Sequence, residues 1–493
     1  MRLRAVTTPP DQVEADVLAV PVYREDIRDG FADDLDALDA ATGGAIRRAV
    51  EWGEFNIVEH YSALLEVQGL AAPRLLLLNG VRRGRGAWRA RRVAATATRR
   101  LIGRGVTSMA LVLRDGEDAD GFAAAAVGAR SGSFRPMDYY GRVRDTDAMK
   151  RTVEELILVG ADQHELAAAI PLAEAVQWGR ELANRSANDL YPERMAEEAR
   201  ALEADGCTVE VLDVEAMQAL GMNALLGVGL SSVHEPRLIA IKLPGWETAD
   251  PERRLAIVGK GVCFDSGGIS IKPSAQMEEM KHDKCGAAAV IAAARAVAQI
   301  APQTPLMAVA PMVENLPSGT AQRPGDVVRA MNGKTIEVTN TDAEGRLILA
   351  DALHWAEQQG ATHLVDIATL TGAASVAFGE LISCYFSRPL EWGEAVQAAA
   401  DATGEWFWEM PLAVEYRPAY DSAYADIVNS ASREGSLIKS AVFIADFVTK
   451  PWVHVDIAGS AYTHADKASG AKGATGAGIT TLARLAMDFA KGA

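Results

Sequence analysis

The chain has 493 residues, of which about half are apolar and 23% are charged, a composition typical of a globular protein. This length exceeds what one hydrophobic core usually serves, so we expect two domains. The formal net charge of −17 argues against general affinity for nucleic acids or anionic membranes, although it leaves room for a local basic patch.

The first residues lack the pattern of a secretory signal. Asp and Glu interrupt the apolar residues between Met1 and Val22, so we expect a cytoplasmic protein. The longest apolar run, Cys285 to Ala301, contains Arg295 and is too short to span a bilayer, so we interpret it as a buried helix and expect no membrane partner. Four cysteines show no paired spacing, as free thiols in a reducing compartment would: Cys207, Cys263, Cys285 and Cys384.

Residues 1–160 mix short apolar runs, such as Leu75–Leu78 and Met109–Leu113, with helical patterns, which predicts a small α/β domain. Between these runs, Arg82 to Arg104 holds nine arginines. On a helical wheel, Arg85, Arg89, Arg92 and Arg99 share one stripe, opposite an apolar face of Ala90, Ala94, Ala97 and Leu101. We interpret this segment as a surface helix with its arginines in solvent. The alternative is a contact with nucleic acid or with another subunit.

A long helix rich in Ala and Leu is predicted from His164 to Ala187, and the turn residues that follow it mark a break. We therefore expect a small amino-terminal domain at 1–160, a linker helix at 161–190 and a larger α/β domain at 191–493. The third region opens with alternating elements: helix Glu193–Ala204, strand Thr208–Leu212, helix Val214–Leu220, strand Arg237–Lys242 and strand Leu255–Val258. This alternation predicts an α/β fold with a mostly parallel central sheet flanked by helices.

Two glycine-containing segments, 259–268 and Asn332–Thr335, invite comparison with phosphate-binding loops. The first has no Gly-x-Gly-x-x-Gly at a helix start, and the second has Val328 where a Walker loop needs glycine. The chain also lacks a Gly-x-Ser-x-Gly elbow and a His-Glu-x-x-His helix. These absences exclude the usual serine hydrolases and the helix-borne zinc peptidases.

Asp342 and Glu344 lie two residues apart, a spacing that directs both carboxylates to one side of an extended segment. Thr335–Thr339 alternates as a strand does and Leu347–Gln358 has helical spacing, so we expect the acids at the carboxyl end of a strand. Asp265 and Asp283 add two further carboxylates, and Lys260 and Lys272 lie near them in sequence. Four carboxylates in one dry cleft repel one another unless cations are present, and two divalent ions would neutralise them.

The order and spacing of these motifs resemble those of the leucyl aminopeptidases, cytosolic two-zinc peptidases that remove amino-terminal residues. The resemblance extends over the carboxyl-terminal three-fifths of the chain and rests on these segments: Val258–Gly261, Phe264–Gly268, Ile271–Pro273, Asp283 with Gly286–Ala288, Asn315 with Pro317–Gly319, Pro324–Val327, Asn340–Leu347, Asp456–Gly459 and Gly473–Gly476. Over residues 1–160 it is limited to size and mixed α/β character.

The resemblance implies a role for each acid and lysine. Asp265 and Glu344 would bridge two divalent metal ions, zinc or manganese; Asp342 would complete one metal site, and Lys260 with Asp283 would complete the other. Lys272 would stabilise the oxyanion formed in peptide hydrolysis. Arg346 would hold a bicarbonate ion that acts as general base.

The resemblance further implies a pocket for the first side chain of a short peptide. Its residues would favour Leu or Met: Met280, Asn340, Thr369, Gly372 and Ala474. Members of the family assemble as hexamers, so we expect a homo-hexamer. Two departures concern the region near the pocket: Lys284 stands where an apolar residue is usual, and Ser432–Gly435 lacks a glycine pair. These departures leave open a hydrolase acting on a different amide. The arginine stripe from Arg85 to Arg99 leaves open a second alternative, an architectural or regulatory DNA-binding protein, because some bacterial members of the family have that role.

Overall fold

The computed structural model describes residues 1–58, 61–81, 86–114, 118–136, 152–164 and 166–492. The chain divides into two compact units. The amino-terminal unit comprises Met1–Gln177, Asp401–Glu405 and His464–Gly473. The large unit comprises Trp178–Ala400, Trp406–Thr463 and Ala474–Ala493. The domain bounds that we expect from the sequence stay a prediction.

The amino-terminal unit is built on one sheet. Its strands are β1 (Arg2–Val6), β2 (Val17–Tyr23), β3 (Ser62–Glu66), β4 (Arg74–Val81), β5 (Ser108–Val112) and β6 (Glu155–Val159). They are ordered β1-β6-β5-β2-β4-β3, and neighbours run parallel except for the hairpin of β3 with β4. The helices of this unit that the structure describes begin with α1 (Arg24–Asp29), α2 (Asp33–Ala41), α3 (Ala45–Glu51), α4 (Gly86–Leu101) and α5 (Ala119–Ser133). Both apolar runs predicted as strands lie in this sheet.

Helix α4 carries the arginine-rich segment. Its predicted apolar face is buried, but Arg89, which we assign to the solvated stripe, is only 6% exposed and its guanidinium lies 5.1 Å from the ring centroid of Tyr23. Arg99 pairs with Asp466 at 3.1 Å, and Arg92 lies over the Trp88 ring. The prediction of a solvated side chain is wrong for Arg89, because a weakly hydrated guanidinium packs favourably on an aromatic face. Arg85 lies outside the described residues.

Helix α6 (Ala169–Asn184) starts later than the helix predicted from His164, because turns occupy the described residues before it. The other helices among the described residues are α7 (Pro192–Ala199), α8 (Val214–Ala219), α9 (Asn223–Gly229), α10 (Gly245–Thr248), α11 (Cys285–Ile300), α12 (Gly345–Gln358), α13 (Gly372–Phe378), α14 (Leu390–Thr403), α15 (Ser436–Ala445) and α16 (Ile479–Lys491). Nearly all of α11 is buried, as predicted. Within the described part of the chain, no helix is long and apolar enough to cross a membrane.

The large unit contains the main sheet. The strands after β6 are β7 (Thr208–Leu212), β8 (Arg237–Lys242), β9 (Leu255–Gly259), β10 (Gly261–Asp265), β11 (Leu306–Asn315), β12 (Val327–Arg329), β13 (Thr335–Glu337), β14 (His363–Ala368), β15 (Ser383–Arg388), β16 (Phe407–Glu409), β17 (Ile427–Val428), β18 (Trp452–Asp456), β19 (Tyr462–Thr463) and β20 (Gly473–Ala474). The main sheet is ordered β16-β15-β18-β14-β9-β11-β8-β7, and β10 continues the line of β9 beside β11.

Parallel pairing joins the central strands β18, β14, β9 and β11, and antiparallel pairs lie toward the edges. The central strands are buried except at His363, the first residue of β14, as expected when helices cover both faces. The predicted α/β class with a mostly parallel central sheet is confirmed. Because parallel strands end at one edge, Lys260, Asp265, Thr369 and Asp456 all lie where a central strand ends.

Candidate metal centre

Lys260 occupies the single position between β9 and β10. Its backbone N–H donates to Ile367 O at 3.0 Å, which ties the junction to β14. The residue is only 3% exposed, and its side chain passes close to Gly345, the first residue of α12. A Cβ atom at position 345 would lie 2.7 Å from Lys260 Cε, so the lysine reaches its place because residue 345 is glycine.

The Lys260 ammonium lies between two acids from different segments. Its Nζ atom is 2.9 Å from Asp283 Oδ1 and 2.9 Å from Glu344 Oε1, and it also donates to Thr369 O at 3.0 Å. Asp283 follows the 3-10 turn Met277–His282, and Glu344 precedes α12. One side chain therefore joins three segments that are widely separated in sequence.

Lys272 makes the corresponding contacts with the other two acids. Its Nζ atom is 2.7 Å from Asp265 Oδ2 and 2.5 Å from Asp342 Oδ1. Asp265 ends β10, and its Oδ1 atom accepts hydrogen bonds from Gly267 N at 2.9 Å and from Asn315 Nδ2 at 2.8 Å. All six predicted acids and lysines are thus brought into one cluster.

Burial and mutual repulsion shift the pKa values of these groups. Burial raises the pKa of Glu344, and the nearby Asp265 carboxylate raises it further. Burial also raises the pKa of Asp283 and of Asp342. For Lys260, burial alone would lower the pKa, but the surrounding carboxylates outweigh it and raise the pKa above its ordinary value. Four carboxylates against two ammonium groups leave an excess of two formal negative charges, which favours the binding of cations.

The donor atoms fit divalent metal ions. Oxygen atoms of Asp265, Asp342 and Glu344 lie within 4.8 Å of one another. Two buried carboxylate oxygens, Asp283 Oδ2 and Glu344 Oε2, have no hydrogen-bond partner among the described residues. A buried charged oxygen without a partner is costly unless a cation satisfies it. Carboxylate oxygens suit zinc or manganese. A dication next to Lys260 would favour its neutral amine over the ammonium, and the lysine nitrogen would then join the carboxylates as a ligand.

Asp342 and Glu344 lie in a turn and not in an extended segment. Strand β13 ends at Glu337 in a small sheet ordered β12-β13-β17, and Glu344 has helical dihedral angles, φ −81° and ψ −37°. Asn429 holds the turn: its Oδ1 atom accepts from Thr339 N at 2.9 Å, and its Nδ2 atom donates to Asn340 O at 2.7 Å. The predicted extended geometry is wrong, because a distant side chain takes up the backbone groups that a strand would pair.

Arg346 lies in the first turn of α12 and is 9% exposed. Its guanidinium donates to Tyr420 Oη at 2.9 Å, to Asn429 O at 3.0 Å and to Ser440 Oγ at 2.8 Å. Its Nε atom is buried and has no hydrogen-bond partner within the described part of the chain. These partners are neutral, so the guanidinium keeps an uncompensated charge suited to an anion.

The five predicted pocket residues lie on four segments, because Thr369 and Gly372 are only three residues apart. Met280 lies on the 3-10 turn before Asp283, Gly372 begins α13 with open space at its Cβ position, and Ala474 is buried in β20. Asn340 Oδ1 accepts from Asp342 N at 3.0 Å. Thr369 Oγ1 donates to Asp283 Oδ1 at 2.6 Å, so Thr369 contacts the acid cluster itself.

Several residues that support the site have no predicted role. Asn315 is part of a recognised motif, but only the structure shows that its amide bonds Asp265 and Thr341 O. Asn429, Tyr420 and Ser440 carry no local signal, since each acts on a residue more than 70 positions away. Asn429 is fully buried, but Asp426, Ser430 and Ser432 near it are polar as well, so the local sequence does not single it out.

This sheet edge, with its buried carboxylates and lysines, defines a metal-dependent α/β enzyme. A model of the catalytic domain of the cytosol aminopeptidase family matches residues 177–483. A probable cytosol aminopeptidase of Solibacter usitatus is 45% identical, with 99% of this chain and 100% of the relative aligned. A probable cytosol aminopeptidase of Caulobacter vibrioides is 40% identical over 92% of this chain and 93% of its own.

Solved structures of other proteins are similar to this chain over nearly its whole length. A mutant of tomato leucine aminopeptidase superposes with a TM-score of 0.87 at 31% identity, covering 99% of this chain and 96% of its own. The bottromycin maturation enzyme BotP in complex with Mn has a TM-score of 0.82 at 32% identity, covering 97% and 100%. The chain belongs to the cytosol aminopeptidase family and is a metal-dependent aminopeptidase. The family resemblance drawn from the sequence motifs is confirmed.

Proposed function

We propose that this chain is a two-metal aminopeptidase that releases the amino-terminal residue, preferably Leu or Met, from short peptides. The observation that carries the proposal is the meeting of four carboxylates and two lysines at one sheet edge. Asp265 and Glu344 would be shared between the metals, Asp342 would hold one, and Lys260 with Asp283 would hold the other. When bound, such a metal pair polarises the peptide carbonyl and lowers the pKa of a bound water.

Lys272 is suited to stabilise negative charge that develops on the carbonyl oxygen. Burial would lower its pKa, but Asp265, Glu344 and Asp342 outweigh burial and raise the pKa, so the ammonium keeps its charge at neutral pH. Its side chain is 22% exposed, compared with 4% for Lys260, so it can also reach a bound substrate. A fixed charge next to the developing oxyanion stabilises the transition state more than the ground state.

Arg346 would hold bicarbonate, which supplies a proton acceptor close to the metals. The buried Nε donor and the neutral partners of the guanidinium support this assignment. Tyr420 and Ser440 orient the side chain, and α12 carries Arg346 two residues after Glu344. The anion site and the metal cluster would thus be fixed by the same helix start.

The side-chain preference follows from the proposed pocket. Its walls would include the thioether of Met280 and the methyl group of Ala474, which suit an unbranched or γ-branched apolar side chain. Manganese and zinc stay alternatives for the physiological metal; one solved neighbour is described in complex with Mn. The homo-hexamer and the cytoplasmic location implied by the resemblance stay predictions.

The DNA-binding alternative gains no support. Two arginines of α4 are paired with acids within the amino-terminal unit, Arg91 with Glu405 at 3.8 Å and Arg99 with Asp466 at 3.1 Å. Charges neutralised in this way contribute little to binding phosphates. We therefore propose no second function.

Chelation followed by metal addition tests the proposal. We expect the purified protein to hydrolyse leucine p-nitroanilide, to lose activity with a chelator, and to recover it with zinc, manganese or cobalt. Asp265→Ala and Glu344→Ala should abolish activity irreversibly, because each removes a shared ligand. Asp250→Ala, an exposed acid of the same unit, is the matched control and should keep wild-type activity. Full activity in Glu344→Ala would rule out the two-metal assignment.

A further inference from the structure

Met280 and Ala474, two proposed pocket residues that are distant in sequence, lie on segments that are hydrogen bonded to the same part of the chain. Met280 lies on the 3-10 turn Met277–His282, and Ala474 lies in β20. Both segments are hydrogen bonded to the last turn of α6 and the residue that follows it. This turn contributes no residue to the metal cluster.

Both peptide groups of Ala474 are held by side chains of that turn. Asn184 Oδ1 accepts from Ala474 N at 3.0 Å, and Arg180 Nε donates to Ala474 O at 2.8 Å. Asn184 Nδ2 in turn donates to Arg180 O at 2.8 Å, which fixes the amide orientation. Arg180 is 3% exposed and Ala474 is fully buried, so these bonds are protected from water.

The turn that carries Met280 is bonded to the same place. His282 Nε2 lies 3.4 Å from Asn184 Oδ1, and His282 Nδ1 lies 2.9 Å from Glu279 O. Lys284, which is fully buried, donates to Arg185 O at 2.7 Å and to Lys281 O at 2.8 Å. Lys284 is also the position at which the family resemblance leads us to expect an apolar residue.

Asn184 is the side chain that contacts both segments. A pocket can discriminate between side chains differing by a methylene group only if its walls stay fixed when the wrong residue binds. We propose that Asn184 is a positioning residue that fixes Ala474 relative to the turn bearing Met280, and thereby sets which first residue is preferred; Arg180 is the second support of Ala474. This inference rests on the proposed function, because it takes Met280 and Ala474 as pocket residues.

The test compares p-nitroanilides of Leu, Ala and Phe. Asn184→Leu removes the polar contacts but keeps the branched shape of the side chain, and Arg180→Met removes the bond to Ala474 O. Asn184→Asp keeps the acceptor for Ala474 N. Asn223→Leu, a substitution of an exposed asparagine at the start of α9, is the matched control.

We expect Asn184→Leu and Arg180→Met to lower the ratio of kcat/KM for Leu over Ala by about tenfold, mainly through KM for Leu. Asn184→Asp and Asn223→Leu should keep the wild-type ratio.

The outcomes separate the inference from the proposed function. Equal losses of kcat/KM on all three substrates in Asn184→Leu and Arg180→Met would show a structural role only and would overturn the inference. A changed ratio in Asn223→Leu would overturn it as well. If Asn184→Leu does not fold, the comparison of Arg180→Met with Asn184→Asp tests the inference by the same ratio of kcat/KM for Leu over Ala. Wild-type protein that cleaves none of the three substrates with added metal would overturn the proposed function, and with it the inference.

Discussion

The position of the Lys260 side chain depends on a neighbouring glycine, Gly345. Gly345 leaves the space that the lysine stem occupies, and the lysine in turn contacts Asp283 and Glu344. The family resemblance implies that Lys260 is a metal ligand. It does not show that Gly345, at the start of a helix, is required for the ligand to reach its site.

Gly345→Ala should therefore displace Lys260 while leaving the fold intact. Alanine is favourable in a helix, but its Cβ would lie 2.7 Å from Lys260 Cε, and the lysine is held between acids and cannot yield freely. We expect about a hundredfold loss of kcat/KM on leucine p-nitroanilide with an unchanged circular dichroism spectrum. Gly319→Ala, where the added methyl meets open space, is the control. Wild-type kinetics in Gly345→Ala would contradict the tight packing of Lys260.

Elements around the site are joined by buried acids that are not metal ligands. Asp351 on α12 is fully buried, and its two oxygens accept from different backbone N–H groups, Leu225 N at 2.9 Å and Met331 N at 2.8 Å. The first of these is an N–H near the start of α9, where a carboxylate is also favoured by the helix dipole. Asp351 thus links α9 and the residues after β12 to the helix that bears Glu344 and Arg346.

Asp351→Asn should destabilise the large unit. An asparagine offers one acceptor oxygen, so its amide nitrogen must face a backbone N–H and leave that donor unpaired. The expected cost is about 1–3 kcal/mol in the free energy of unfolding, measured by urea denaturation. Asp250→Asn, an exposed substitution of the same chemistry, should change stability by less than about 0.5 kcal/mol. Equal stability of the two variants would show that these hydrogen bonds contribute nothing.

Strands β14 and β18 carry a second buried acid, in a pair with histidine. His454 Nδ1 is 2.6 Å from Asp366 Oδ1, and Trp452 Nε1 donates to Asp366 Oδ2 at 2.7 Å. Burial would lower the pKa of His454, but Asp366 outweighs it and raises the pKa above its ordinary value of 6.5. The folded state therefore binds this proton more tightly than the unfolded state does.

The stabilisation from His454 should be fully present below pH 6.5, the ordinary pKa of histidine, and should be lost as the pH rises through the higher folded-state pKa. We expect the Tm of His454→Gln to change less than that of the wild type over the interval above pH 6.5, because glutamine does not titrate. Scanning calorimetry across that interval measures the difference. The exposed His464→Gln variant should follow the wild type. A steeper fall of Tm in His454→Gln than in the wild type would reverse the expected sign.

At the scale of the whole molecule, we expect the excess of negative charge at one sheet edge to couple folding to metal binding. Four carboxylates from widely separated segments must approach one another for the large unit to fold, and cations relieve that repulsion. Ligand binding to the folded state alone stabilises it by mass action.

Chelation should therefore lower the Tm, and zinc or manganese should restore it. The expected gain is about 2.7 kcal/mol at a free metal concentration 100 times Kd for a single site. In Asp265→Ala the metal-dependent shift should shrink, because this variant lacks the proposed shared ligand, whereas Asp250→Ala should show the full shift. Differential scanning fluorimetry with a metal titration measures these shifts. An identical shift in Asp265→Ala would place the stabilising metal elsewhere.

The sequence by itself determined the alternation of strands and helices, and with it the α/β class and the sheet edge that carries the site. It also determined which acids and lysines to consider, because motif order and spacing over the large unit match one family. These features are local: periodicity and short motifs depend on neighbours within a few residues of one another.

Only the tertiary structure decided how those residues meet. The turn at Asn340–Glu344 forms because Asn429 takes up its backbone groups, and Arg346 is oriented by Tyr420 and Ser440. Arg89, read from a helical wheel as solvated, is buried against an aromatic ring. In each case the deciding partner lies more than 60 residues away, and no local pattern encodes which distant side chain will satisfy a polar group.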